Sequence, residues 1–175
     1  MKAITSLAAV LIVFAGSRAE EKAPEKYVSK DFKYAIQFPG KTTSQAKKAD
    51  SVLGKLSFTM QLWQSRAGDQ AVIVSVVDYP VKVADFDAQK GLDAGAEEIG
   101  KQDDTKMGKI EEFEFGKEKF PARRFLLEKP GKKLWVRNEM IIKDVRMYHV
   151  LMVGSKDFVT DKAADAIFAS FEITM

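Results

Sequence analysis

Apolar residues in this chain recur mostly at every second position. Phe32, Tyr34, Ile36 and Phe38 alternate with Lys33, Ala35 and Gln37 and run into Pro39-Gly40, the pattern of a strand closed by a turn. Lys41 to Ser51 is polar and reads as a loop. Leu56 to Trp63 alternates again, with Leu56, Phe58, Met60 and Leu62 on one side and Thr59, Gln61 and Trp63 on the other. Two segments differ. In Ala71 to Tyr79, Val72, Val74 and Val76 oppose Ile73, Val77 and Tyr79; in Met147 to Val153, Tyr148, Val150 and Met152 oppose Met147, Leu151 and Val153. A strand apolar on both parities is covered on both faces, so these two are expected inside a sheet with material above and below.

The period changes after Pro80. Asp85 is placed as an N-cap, Ala88, Leu92, Ala96 and Ile99 follow at helical spacing, and Gly100 reads as the C-cap. Gly91 and Gly95 inside that helix weaken it by up to about 1 kcal/mol each relative to alanine. Near the end, Thr160 or Asp157 caps a second helix with Ala164, Ile167, Phe168 and Phe171 on one stripe. Between the helices, Ile110–Phe115, Ala122–Lys129 and Leu134–Ile142 read as strands, with turns at Pro130-Gly131 and Lys143-Asp144. The order is strands, helix, four strands, helix. It predicts an α+β fold: a mainly antiparallel sheet of about six to seven strands with helices on both faces, a three-layer α/β/α sandwich. No linker divides residues 27–175, which are expected to form one domain.

The first residues read as an address. Lys2, the apolar run Leu7 to Ala15 and Ser17-Arg18-Ala19 have the pattern of a Sec-type signal peptide over residues 1–19, cleaved before Glu20, with a flexible leader over 20–26. The apolar run falls well short of the roughly 20 residues that span a bilayer, so no transmembrane segment is expected after cleavage. A periplasmic or secreted location follows. Formal charge is +3, and cleavage would remove Lys2 and Arg18, leaving a nearly neutral chain with no nucleic-acid tail. There is no cysteine, which excludes disulfides, a catalytic cysteine, CxxC chemistry and Cys-ligated metal.

Candidate chemistry is sparse. Phosphate-cradling glycine motifs, a GxSxG elbow and an HExxH helix do not occur. His149, the single histidine, lies mid-strand and reads as a half-buried structural residue; a hydrolase using it is the weaker alternative. Asp85 and Asp87 sit where a helix N-terminus favours acids, ahead of any cation site. Glu111, Glu112 and Glu114 form no specific acid–base pair. Trp63 and Trp135 read as core or core-edge residues before exposed anchors. No metal or cofactor is expected. Eight bases against three acids lie between Arg123 and Arg146, although Arg123 and Arg124 must point to opposite faces. Within that stretch Lys132, Lys133 and Arg137 are the candidate partner-binding residues.

Three stretches carry a family resemblance: Asp31-Phe32 with Ile36-Gln37-Phe38-Pro39-Gly40, then Tyr148-His149-Val150-Leu151 followed by Gly154, then Ile167-Phe168-Ala169-Ser170-Phe171. Across residues 27–175 the chain resembles the PsbP-like group, which includes small exported bacterial proteins and the Mog-type Ran-binding proteins. The resemblance implies an antiparallel sheet flanked by helices, and docking onto other proteins, as a photosystem II subunit does, in place of catalysis. The expected function is therefore an exported, non-enzymatic accessory module that binds a protein partner at the cell envelope. The alternative is a carrier holding a small apolar ligand between sheet and helix, lined by some of its 12 Phe and 7 Met.

Overall fold

The computed structural model describes residues 25–51 and 54–174. The signal peptide and most of the leader expected from the sequence lie outside the described residues. The chain orders as β1 (Glu25–Ser29), β2 (Tyr34–Phe38), β3 (Thr43–Ser51), β4 (Gly54–Gln64), β5 (Ala71–Asp78), α1 (Ala88–Gly100), β6 (Lys106–Met107), β7 (Glu111–Phe115), β8 (Phe120–Lys129), β9 (Leu134–Lys143), β10 (Arg146–Gly154), α2 (Lys156–Thr160), α3 (Lys162–Ala169) and β11 (Glu172–Ile173). Among the described residues, eight strands make one antiparallel sheet in the order β3-β4-β5-β10-β9-β8-β6, with β7 also on β8; β1-β2-β11 make a second sheet.

β5 and β10 sit side by side in the large sheet, in the register Val74↔Val150 and Val76↔Tyr148. Both parities of β5 are buried: Val72, Val74 and Val76 on one face, Ala71, Ile73 and Val77 on the other. The two faces are covered differently. On one, the small sheet packs with α2 and α3, and Ile36, Phe38, Val159, Ala164, Phe168 and Phe171 meet Val72, Val74, Tyr148, Val150 and Met152. On the other, Leu92 and Ala96 of α1 meet Met140, Ile142, Phe125 and Leu127 of β8 and β9.

The expected three-layer α/β/α sandwich is therefore corrected. The large sheet has eight strands, a three-stranded sheet stands beside it, and the helices are short: 13, 5 and 8 residues. The face opposite α1 is covered by the small sheet together with the short α2 and α3, not by a layer of helices, because β1 and β11 pair with the two edges of β2 and turn much of that cover into sheet. Its packing is aromatic, with Tyr34 meeting Tyr148 and Phe171, and Tyr27 edge-on to Phe38. Tyr148 also donates its hydroxyl to the Phe32 carbonyl at 2.9 Å, pinning the turn before β2.

Three local expectations also change. Thr43–Ser51, read as a loop, is a nine-residue strand paired along its length with β4. Phe32 falls in the turn ahead of β2, where Lys33 has φ 55. The N-cap of α1 is Asp87, whose carboxylate accepts from the Lys90 N–H at 3.1 Å, while Asp85 lies in the preceding 3-10 turn. Gly91 and Gly95 turn out to seat the helix. A Cβ on Gly95 would lie 2.6 Å from Met140 Cε, and one on Gly91 3.0 Å from the Phe86 ring. Arg123, buried on β8, fastens α1 through Asp93 at 2.9–3.0 Å and Gln89 at 2.7 Å.

Phe38 is 1% exposed. Phe38→Ala is expected to cost about 3–5 kcal/mol in urea unfolding, the range for emptying a buried phenylalanine site; a loss below about 1 kcal/mol, usual for surface positions, would contradict this packing.

Candidate functional site

Strand parity decides what the polar residues of the sheet can do together. Residues directly opposite one another in a ladder share a face. His149 lies opposite Ser75 on β5 and Met140 on β9, so it faces the α1 side. Its Nε2 donates to Asn138 Oδ1 at 2.9 Å, and Asn138, fully buried, donates Nδ2–H to the Val136 carbonyl at 3.2 Å. Burial pulls the imidazole pKa down to about 4, since the charged form loses its water. Among the described residues no hydroxyl or carboxylate is hydrogen-bonded to it. The partner that sequence reading missed is Asn138, which lies diagonally across the ladder and so becomes visible only with the register.

The buried carboxylate lies on the other face. Glu139, 7% exposed, neighbours Arg124 on β8 and Val150 on β10. Burial pushes its pKa up, and Arg137 and Arg124 pull it down. Both arginines are already engaged. Arg137 pairs with Asp165 of α3 at 2.6 Å and lies 4.4 Å over the Phe168 ring; Arg124 pairs with Glu111 of β7 at 2.8 Å and lies 5.2 Å over Phe113. The sheet thus stands between Glu139 and His149, and the two cannot act on one substrate atom. General acid–base work needs both groups within reach of the same proton path.

The three candidate partner-binding residues separate. Lys132 and Lys133 sit exposed in the 3-10 turn that joins β8 to β9, with Lys133 at φ 51. Arg137, four positions on, is committed to α3. Nearby, Lys156 at the start of α2 lies 4.9 Å over the ring of Trp135, which is half-buried. Gly131 at the same tip donates its N–H to Asp104 at 2.8 Å, which ties the turn to the segment after α1. The tip therefore presents two free-standing lysines on a braced turn. Trp63 is buried and stacked near Phe158.

The remaining candidates resolve into structural roles. The Asp87 carboxyl is held below its usual range by the Lys90 N–H it caps. Glu112 lies 3.6 Å from Arg123, and Glu114 3.2 Å from Lys119. Among the described residues no group of three acids or histidines is placed to hold a metal ion. An apolar strip of Met60, Ile73, Leu62, Leu151 and Val153 runs across β4, β5 and β10 on the α1 side. Between α1 and the sheet, a Cβ at Gly91 would meet Phe86 and Ile142 and one at Gly95 would meet Met140, so the helix lies close on the sheet at those two positions.

Comparison with known proteins adds the fold and little else. No family model matches the chain, and no curated protein matches it. Among solved structures, the solution structure of cyanobacterial PsbP from Synechocystis sp. PCC 6803 superposes with a TM-score of 0.53. It covers 91% of this chain and 95% of that one at 9% identity. The fold is PsbP-like. At that identity the likeness is one of backbone architecture. Among the described residues no helix is long and apolar enough to cross a membrane.

The depressed His149 pKa makes a signed prediction. Above about pH 6.5 the ring is neutral in both folded and unfolded chains and contributes nothing; as pH falls from 6.5 towards 4 the unfolded chain gains a proton that the folded one resists. Stability is expected to drop by about 1–3 kcal/mol over that window from this residue alone. Urea titrations of the parent and His149→Gln should diverge there, and superimposable pH profiles would show the ring to be solvated.

Proposed function

We infer that this chain is an exported, non-enzymatic module that binds a protein partner at the cell envelope, with the β8–β9 tip as its contact. The observation that carries this reading is the exposed pair Lys132 and Lys133 on a turn braced by Gly131 and Asp104. A braced, charged protrusion is suited to steering an acidic partner, because little loop ordering is lost on contact. Arg137 contributes at one remove, by holding α3 through Asp165 beneath the same end of the sheet. The PsbP-like architecture supports an accessory role, and the signal-peptide pattern of residues 1–19 supports export to a periplasm or beyond. His149 and Glu139 on opposite faces weigh against the hydrolase reading, and the close seat of α1 weighs against the carrier.

The test is quantitative capture of envelope proteins by the purified mature chain across a salt series. Reversal of both tip lysines, Lys132→Glu with Lys133→Glu, should weaken the interaction about tenfold, or about 1.4 kcal/mol, at low salt. The gap should narrow as salt screens it. Partner binding that is indifferent to the reversal would remove the tip from the contact.

A further inference from the structure

β3 is a strand without a core. Every side chain from Thr43 to Lys48 is exposed, and the sequence there is rich in residues of modest strand propensity. Its side-chain tether is at one end, where Ser44 donates to the buried Gln61 amide oxygen and Gln61 in turn donates to Thr42 at 2.5 Å. The rest is held by its ladder to β4, in the register Thr43↔Leu62 to Ser51↔Gly54. β3 ends the large sheet, and among the described residues no backbone pairs with its far side.

The register says which groups are on offer. Successive residues of an antiparallel strand turn their N–H and C=O alternately toward the partner strand and away from it. The pair that closes the hairpin, Ser51↔Gly54, turns inward. Counting back by twos, Ala49, Lys47, Gln45 and Thr43 bond to β4, and Ser44, Ala46 and Lys48 turn their N–H and C=O outward. Charge then selects the occupant. From Lys41 to Lys48 there are three lysines and no acid. Among the described residues none of the three has an ion-pair partner. Lys47 and Lys48 flank the open edge on opposite faces of the sheet. A second copy of β3 would bring four lysines together, and like charges across a ladder are destabilising.

We propose that the outer edge of β3, from Ser44 to Lys48, receives an extended acidic segment of another protein as an added strand. Main-chain bonds to Ser44, Ala46 and Lys48 supply the pairing, and carboxylates on both sides of the incoming strand meet Lys47 and Lys48. The same lysines discourage neutral, aggregation-prone strands from joining the edge. This deepens the partner-binding reading on a surface separate from the β8–β9 tip, so failure here leaves the Lys132–Lys133 test standing, and the reverse.

The probe is a short blocked peptide of paired glutamates alternating with paired threonines, which sets carboxylates on both faces of an added strand; it is titrated into the isotope-labelled chain and followed by backbone amide shifts and hydrogen exchange. Shift changes confined to β3 and its neighbour β4 are expected, with new exchange protection at Ser44, Ala46 and Lys48. Affinity should fall several-fold between low and physiological salt, and the same peptide with lysine in place of each glutamate should not bind. Ala46→Pro removes one outward N–H without breaking the β3–β4 ladder; it should weaken binding at least tenfold with the thermal midpoint nearly unchanged. If that variant misfolds, the same loss is expected from a peptide N-methylated at alternate positions, tested on the parent chain. No binding at millimolar peptide, binding indifferent to Ala46→Pro or to N-methylation, shifts centred on the β8–β9 tip, or a dimer that Ala46→Pro dissociates would each overturn the proposal.

Discussion

Two adjacent strands covered largely on both faces govern this structure. Along β5 every residue from Ala71 to Val77 except Ser75 is buried, and β10 beside it buries Met147, Tyr148, Val150 and Met152. Side chains pointing both ways from a sheet interior must be covered twice, at roughly 25 cal/mol per Å² of apolar surface removed from water. One cover is the aromatic small sheet with α2 and α3. The other begins with α1, which can approach because Gly91 and Gly95 present no side chain to Phe86, Ile142 and Met140. Both glycines lower intrinsic helix stability. Close packing on the sheet and the buried Arg123 contacts offset that, so local propensity yields to tertiary fit.

The same sheet insulates its polar residues from each other. His149 and Asn138 satisfy one another on the α1 side, and Glu139 is embedded among arginines on the other. A buried polar group is costly unless paired, which explains why the single histidine comes with an asparagine. The perimeter of the sheet carries a charged hairpin tip and a polar edge. Both are places where backbone or side-chain hydrogen-bonding capacity faces solvent beside a rigid core, the usual arrangement for recognition mounted on a scaffold.

Much of the chain was legible one strand at a time. The alternation of Tyr34, Ile36 and Phe38, the doubly apolar β5 and β10, the Pro130-Gly131 turn and the opposed directions of Arg123 and Arg124 all follow from the two-residue period of a strand. β3 was not legible, because Thr43 to Lys48 buries nothing and a pattern of burial is what sequence reading detects. The small sheet was missed for a related reason. β1 and β11 are short, and each becomes a strand only because β2 lies next to it. Among the candidate contacts, Lys132 and Lys133 stand where their turn residues suggested, while Arg137 is drawn inward by Asp165 and Phe168 from another part of the chain.

By itself the amino-acid order settled which segments are strands with buried faces, where α1 runs, and that cysteine chemistry is absent, since each of these depends on neighbours within a few residues. Which strand lies beside which, what covers each face, and which titratable groups share a side were decided by long-range pairing. Residue 149 meets residue 138 through the β9–β10 register, and residue 44 reaches residue 61 through the β3–β4 register. Contacts of that kind depend on how strands align in space, which local periodicity does not encode.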